Sequence, residues 1–262
     1  MKKTIQRSAI LAMLILVSLL HSCKKDPPPI PVNAYTTLKA YMVVNSLDLP
    51  AMLTAWVVDP NGTSAAGIVD DATSTVTGYT VYDLRSAADF ATNHIKNAVN
   101  VVLKDVITKT ETLALAKDAK ILVVCYTGQT AGQAVMALRL LGWKSAQVLK
   151  WGMAGWNATY QGPWVNNSGF VTPALGDLAV GSANWATTAA PTTGSFSEPS
   201  FTSTSADGAF ILKERVQAVL NAGFSTADGA TVLATPSAYT IVNYWSAADY
   251  TTFGHFSGAF NI

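Results

Sequence analysis

One segment near the middle of the chain joins an apolar run, a cysteine and a glycine-containing loop. Residues 121–132 read ILVVCYTGQTAG. The β-branched run at 121–124 predicts a buried strand, and the Ala-, Leu- and Met-rich stretch at 133–141 predicts a helix. A strand, a short loop and a helix form a unit of parallel α/β sheets, in which ligands bind beyond the carboxyl ends of the strands. Cys125 lies at such an end, so it is the candidate nucleophile.

The same alternation of strands and helices extends to both sides of this segment. We therefore expect an α/β fold with a mainly parallel sheet covered on both faces. The pattern predicts further strands at 80–82, 99–103 and 145–149, and helices at 48–57, 86–91, 111–118 and 153–160. Asp48 and Ser86 are of the residue types that cap helix N-termini.

The N-terminus predicts export. Two lysines and an arginine precede an apolar run at residues 9–20 that only Ser18 interrupts. Its 12 residues suit a signal peptide, because a membrane-spanning helix needs about 20. The run closes on LHSC, which resembles the lipobox of bacterial lipoproteins and implies cleavage before Cys23 and lipidation of that residue. The alternative is an ordinary signal peptide that leaves an unmodified cysteine.

Composition narrows the classes of function. Charged residues make up 13% of the chain and the net charge is +1, which does not indicate nucleic-acid binding. The chain has two cysteines. With Cys23 assigned to the lipid anchor, Cys125 has no partner for a disulfide within one mature chain. An unpaired thiol in an exported protein is exposed to oxidation, so its presence calls for a function. No second cysteine or histidine pair lies near it, and we expect neither a metal nor a cofactor.

A repeat with a period near 160 residues runs through the chain. Residues 78–90, GYTVYDLRSAADF, recur at 238–250 as AYTIVNYWSAADY, and residues 94–101 recur at 255–262 after one inserted residue. A period of this size predicts a duplicated domain. Because the second copy stops at Ile262, we expect a truncated copy or a fragment. Asn243 and Trp245 replace the Asp and Arg of the first copy, so the second copy is expected to be degenerate.

The organisation that follows has five parts. Residues 1–22 form the signal peptide and 23–32 a lipidated, proline-rich tether. Residues 33–163 form the first domain, and 164–205 a Gly-, Ser- and Thr-rich linker. Residues 206–262 begin the second, truncated domain with an amphipathic helix at 210–222.

Several short motifs, in this order and spacing, resemble those of the rhodanese domain. DLR at 83–85, DF at 89–90, HI at 94–95 and AVN at 98–100 resemble its opening signature. CYTGQTA at 125–131 resembles its active-site loop. LLGW at 140–143, VL at 148–149 and WGMAGW at 151–156 resemble its closing signature. The resemblance covers residues 76–160, and 240–262 more weakly. It implies a rhodanese-like three-layer sandwich and sulfane-sulfur transfer through a cysteine persulfide.

The resemblance also implies roles for individual residues. Cys125 would be catalytic, attacking a small sulfur donor such as thiosulfate, a polysulfide or a persulfide and passing the sulfur to a thiol acceptor. The loop that binds the anion would comprise Tyr126, Thr127, Gly128, Gln129, Thr130 and Ala131. The supporting framework would comprise Asp83, Arg85 and Asp89. With the N-terminal prediction, this describes a membrane-anchored sulfurtransferase in the periplasm or on the cell surface.

Departures from the family pattern keep an alternative open. Thr130 stands where many thiosulfate-using members have an arginine that would clamp an oxyanion. Ala131 stands where the loop of a cysteine phosphatase needs an arginine. The competing hypothesis is a rhodanese-like module without enzymatic activity that binds a partner or senses redox state.

The other distinctive residues are expected to support the fold. Asp83 and Arg85 should form an ion pair with Asp89 at the strand end. His94 should be a structural histidine, and Trp151 and Trp156 should lie in the core or in a pocket wall.

Overall fold

The computed structural model of this chain describes residues 33–60, 69–70, 75–167, 181–192 and 196–262. Cys23, the signal-peptide segment and the tether lie outside these residues. The strands in chain order are β1 (Val57–Val58), β2 (Val69–Asp70), β3 (Thr75–Val76), β4 (Thr80–Asp83), β5 (Val99–Asn100), β6 (Ile121–Val124), β7 (Ala146–Leu149), β8 (Trp185–Ala186), β9 (Val242–Asn243), β10 (His255–Phe256) and β11 (Phe260–Asn261).

The helices in chain order are α1 (Ala34–Val44), α2 (Leu49–Leu53), α3 (Ala87–Thr92), α4 (Val106–Thr112), α5 (Gln129–Leu140), α6 (Gly152–Trp156), α7 (Gly162–Asn167), α8 (Gly208–Ala222), α9 (Gly229–Ala234) and α10 (Ala247–Phe253). Short 3₁₀ turns occur at Leu103–Asp105, Ala158–Tyr160 and Pro236–Ala238.

A five-stranded parallel sheet organises the first part of the chain. Its strand order is β1-β7-β6-β4-β5, and β6 lies at the centre between β4 and β7. All four residues of β6 are fully buried. A continuous apolar run suits this position, because a central strand of a parallel sheet is covered on both faces.

Two hydrophobic cores lie on opposite faces of the sheet. Ile121 and Val123 point into the larger core, which also contains side chains of α1, α4, α5 and α8. Leu122 and Val124 point into a smaller core with Met153 of α6. This alternation follows from the two-residue period of a strand. Helices on both faces give the three-layer α/β architecture that the sequence pattern predicts.

Four predicted elements differ from the observed ones. The predicted helix at 48–57 ends at Leu53, and Val57 belongs to β1, which pairs with β7. The predicted strand at 99–103 ends at Asn100, because its partner β4 ends at Asp83, the residue with which Asn100 pairs. The predicted helix at 111–118 is instead α4, in which Val106, Ile107 and Thr110 are buried against the core, so packing outweighs their low helix propensity. The predicted helix at 153–160 divides into α6 and a 3₁₀ turn, because Asn157 adopts an extended conformation between them.

Arg139 of α5 fastens the N-terminal segment to the sheet. Its guanidinium group is buried and donates to the backbone carbonyls of Met52 (2.9 Å) and Thr54 (2.8 Å) and to that of Ala146 in β7 (2.7 Å). A third N-terminal carbonyl, that of Ala55, accepts at 3.3 Å. One side chain therefore binds carbonyl groups at the end of α2, in the turn that follows it and in β7.

The long helix α8 packs against the larger core of the five-stranded sheet. Its buried residues Ile211, Leu212, Val216 and Leu220 belong to the larger core. Gly208 lies so close to α1 that a Cβ atom there would come within 2.4 Å of the Tyr41 Cβ. The helix covers the range predicted from its amphipathic pattern; the predicted domain boundary at residue 206 stays a prediction.

The C-terminal residues reproduce a local pattern of the first unit. Strands β9 and β11 are parallel, with Val242 opposite Phe260, as Tyr82 of β4 is opposite Val99 of β5. Ser246 caps α10, and Ser86 caps α3, in each case through a bond from the amide three residues later. In the part of the chain that the structure describes, no helix has the length and apolarity needed to span a bilayer.

Replacing Arg139 by leucine should lower the free energy of unfolding by about 3 kcal/mol, because the carbonyls of the buried residues Met52 and Ala146 lose a charged donor at about 1–3 kcal/mol each. Urea denaturation would measure it. Lys144→Leu, at an exposed cation one loop away, should change stability by less than about 0.5 kcal/mol. Equal small effects of both variants would show that Arg139 does not fasten the segment.

Candidate active site

Cys125 lies at the carboxyl end of the central strand and its side chain is almost completely buried. Its Sγ accepts hydrogen bonds from the backbone N–H groups of Gly128 (3.1 Å) and Ala131 (3.4 Å). Both donors belong to the loop and first turn of α5. Two amides aimed at one sulfur stabilise it in the anionic form, in which a thiol acts as a nucleophile.

Gly128 shapes this loop. It is the N-cap residue of α5 with a φ of 94°, in the left-handed region that glycine adopts without steric cost. The chain therefore turns from β6 into α5 with the amides of the first helical turn facing Cys125. The dipole of the 12-residue helix adds stabilisation of a nearby anion, typically about 0.3–1 kcal/mol.

The first turn of α6 supports the loop from the other side. The carbonyl of Cys125 accepts from the Met153 amide at 2.8 Å, and that of Tyr126 accepts from the Ala154 amide at 3.1 Å. Gly152 fits between them with a φ of 56°; a Cβ atom there would lie 2.4 Å from the Cys125 oxygen. The close approach of two backbones fixes the direction in which the cysteine leaves the sheet.

Tyr126 connects the loop to α3. Its hydroxyl donates to Asp89 and accepts from the Ser86 amide at 3.2 Å. The Ser86 hydroxyl also donates to Asp89, at 2.6 Å. The hydrogen bonds from Ser86 and then Tyr126 hold the pKa of Asp89 below its ordinary value. Asp89 is thus an ionised anchor for the loop.

The predicted ion pair at the strand end forms between Arg85 and Asp83. The Nη2–Oδ2 distance is 2.7 Å and both side chains are buried. Arg85 also donates to the Asn93 carbonyl at 2.8 Å and lies over the Tyr160 ring. Asp89 bonds to Ser86 and Tyr126 instead of joining this pair, because it serves the cap of α3. The pair holds the ends of β4 and the following turn, which is a supporting role.

Thr127, Gln129 and Thr130 complete the predicted loop. Gln129 is exposed, whereas Thr127 and Thr130 are partly buried. Thr130 lies in the first turn of α5 and offers one hydroxyl in place of a guanidinium group. The loop thus supplies backbone amides and neutral side chains.

His94 contacts α3. Its Nδ1 bonds to the Phe90 carbonyl at 2.7 Å and its ring stacks on that of Phe90, with centroids 3.9 Å apart. These contacts agree with the expected structural role. Among the described residues, no group of three or more His, Cys, Asp or Glu side chains is placed to hold a metal ion.

Trp151 lies outside the core, which was one of its two expected places. Its side chain is 52% exposed, and its ring packs at a tilt of 56° against that of Trp164 in α7, with centroids 4.7 Å apart. It adopts a φ of 62°, which costs a non-glycine residue about 1–2 kcal/mol. The turn before Gly152 requires this conformation and directs the side chain out of the core. The exposure had no signal in the sequence, because tryptophan is usually buried.

Replacing Gly152 by alanine should lower the free energy of unfolding by about 2 kcal/mol and slow alkylation of Cys125, because the new Cβ displaces the Cys125 carbonyl. Thermal unfolding and the rate of reaction with iodoacetamide would measure the two effects. Gly162→Ala is a matched control, since no atom lies within 4 Å of the added Cβ. Wild-type behaviour of Gly152→Ala would contradict the supporting contact.

Tyr126→Phe should raise the pKa of Asp89 toward its ordinary value, since the Asp89 carboxylate loses one of the two side chains that donate to it. A lowered pKa in the folded state adds stability above the ordinary carboxyl value and loses it as the pH falls through the lowered value. The stability lost by the variant relative to wild type should therefore be larger near neutral pH than in strong acid, where only the bond from the Ser86 amide is missing. NMR titration of Asp89 would check this, with Tyr244→Phe as the control; an unchanged pKa would contradict it.

Comparison with known proteins agrees with this geometry. The family model for the rhodanese-like domain matches residues 69–159. No curated protein matches the chain significantly. Among solved structures, the chain is 28% identical to the Alr3790 protein from Anabaena sp., over 32% of this chain and 64% of that one, with a TM-score of 0.29. The chain thus spans slightly less than two thirds of that protein.

A rhodanese-related protein from Thermoplasma volcanium is 25% identical over 33% of this chain and 82% of that one, with a TM-score of 0.28. The family match extends from β2 to the 3₁₀ turn after α6 and includes the strand and loop of Cys125. The expected rhodanese-like α/β fold is confirmed. Residues 69–159 therefore form a rhodanese-like domain.

Proposed function

We propose that this protein is a sulfurtransferase in which Cys125 carries sulfane sulfur as a persulfide. The observation that supports this most directly is the pair of amide donors, Gly128 and Ala131, at 3.1 and 3.4 Å from the Cys125 sulfur. Rhodanese-like domains are associated with sulfur transfer, and the match includes this loop. A buried structural thiol would have no need of an anion-binding loop.

The transfer has two steps. In the first, the Cys125 thiolate attacks the outer sulfur of the donor, and the donor's sulfur bond breaks with its electron pair leaving on the remaining fragment. That fragment is sulfite from thiosulfate or a thiolate from a persulfide. In the second, an acceptor thiolate attacks the outer sulfur and Cys125 departs as a thiolate. One sulfur bond is exchanged for another in each step, so no external oxidant or reductant is needed.

The loop suits both states of the cysteine. A persulfide extends the side chain by a bond of about 2 Å, which carries the terminal sulfur and its charge from the strand end toward the loop. Donors from Gly128 and Ala131 lie on either side of that path. The amides are fixed by the backbone of α5, so they need no rearrangement between the two steps.

We propose that this activity is exported and attached to a membrane through Cys23, in the periplasm or on the cell surface. The support comes from the basic and apolar N-terminal segment and from its LHSC ending. Lipidation of Cys23 would leave Cys125 as the only free thiol of the mature chain. Acyl chains contribute about 0.8 kcal/mol per buried CH₂ group, so several of them would hold the protein stably.

We also propose that the C-terminal residues begin a second rhodanese-like unit. The supporting observations are the shared register of β9 with β11 and of β4 with β5, and the equivalent serine caps. Asn243 and Trp245 occupy the positions of Asp83 and Arg85, so the buried ion pair of the first unit has no equivalent there.

Incubation with thiosulfate, polysulfide or an organic persulfide should add one sulfur atom to Cys125. Mass spectrometry of the peptide between Lys120 and Arg139 would locate the sulfur and distinguish Cys125 from Cys23. Cys125→Ser should abolish the modification and reduce sulfur transfer to a thiol acceptor to the uncatalysed rate. Thr112→Ser, at an exposed hydroxyl of α4, should leave both unchanged.

Failure of every donor to modify Cys125, in a protein that is folded by circular dichroism, would contradict the proposal. The remaining hypothesis would then be a module that binds a partner or senses redox state through the same loop.

A further inference from the structure

We propose that the packed indoles of Trp151 and Trp164 form a binding platform for the organic part of the sulfur donor, which makes the donor a low-molecular-weight organic persulfide with an aromatic or apolar body. This inference rests on the sulfurtransferase function proposed above. It assigns a specificity role to two residues outside the cysteine loop.

The backbone of Trp151 lies against the cysteine loop. The Trp151 amide nitrogen lies 3.6 Å from the position that a Cβ on Gly128 would occupy, and Gly152 follows directly against the Cys125 carbonyl. Trp164 comes from α7 and packs on Trp151 at a centroid distance of 4.7 Å and an interplanar angle of 56°. Two indoles held together, one of them on a residue whose backbone contacts the loop, offer a larger and less mobile apolar surface than one free side chain.

The conformation of Trp151 indicates that the side chain has a function. A bulky residue at a φ of 62° is rare, and glycine would suit the position better. Burial in the core does not compensate for the strain, because the side chain is 52% exposed. Strained and exposed residues at the edge of a site are typical of ligand binding.

The charges around the loop favour a donor of low charge. The cations that follow the two strands beside β6 are both engaged, Arg85 after β4 with Asp83 and Lys150 after β7 with Asp59 at 3.3 Å. The Asp89 carboxylate is joined to the loop through Tyr126, and Thr130 supplies no charge. A dianion such as thiosulfate would therefore gain little from these two cations and would depend mainly on the amides and the helix dipole. An organic persulfide carries at most one charge and gains apolar contact with the indoles.

The transfer balances without another reactant. The Cys125 thiolate attacks the outer sulfur of R–S–SH, the new S–S bond forms as the donor's S–S bond breaks, and the thiolate RS⁻ leaves and takes up the persulfide proton. The products are the Cys125 persulfide anion and RSH. The platform would hold R while the sulfur reaches the loop.

The test compares benzyl persulfide with inorganic polysulfide as donors to the full chain. Trp151→Gly removes the ring and also relieves the backbone strain, so the variant should fold at least as stably as wild type. We expect its kcat/KM for benzyl persulfide to fall about tenfold, mostly through KM, with the value for polysulfide unchanged. Trp151→Phe should retain most of the activity with benzyl persulfide.

Trp245→Ala is the control for an exposed tryptophan elsewhere in the chain. An equal loss with both donors, or no loss with either, would overturn the platform while leaving the sulfurtransferase function standing. Failure of both donors to load Cys125 in the wild-type chain would instead overturn the proposed function.

Discussion

The contact between the first turn of α6 and the carbonyl of Cys125 determines the geometry of the whole site. The amides of Met153 and Ala154 bind the carbonyls of Cys125 and Tyr126, and the missing side chain of Gly152 lets the two backbones meet. Because α6 follows β7, this contact ties the end of one strand to the end of its neighbour. The cysteine loop is thus fixed at its start by β6, at its end by α5, and through its carbonyls by the amides of α6.

Much of the fold could be predicted from the sequence because its central elements obey local rules. The four-residue run of β6 is apolar throughout, and Asp48 and Ser86 cap the helices that follow them. Elements that depend on tertiary packing were harder to place. Helix α4 consists mainly of residues with low helix propensity and forms because Val106, Ile107 and Thr110 are buried on one face.

The candidate site was predictable in its centre and less so at its edge. The position of Cys125 followed from the strand and glycine loop. The ion pair at the strand end was predicted to include Asp89, but it forms between Arg85 and Asp83 only. The link from Tyr126 to Asp89 could not be derived, because 37 residues separate the two. The same applies to Trp151 and Trp164, whose contact depends on the path of the chain after α6.

The packing of α8 shows that the boundary of a sequence repeat and the boundary of a hydrophobic core are different things. The helix lies where the second copy is predicted to begin, yet its apolar face closes the larger core of the first sheet. A protein shortened after residue 163 would keep the cysteine loop but leave apolar side chains of α1 and α5 in contact with water. Such a surface promotes association between molecules. The first sheet and α8 therefore depend on each other for solubility, and they are not expected to behave as independent modules.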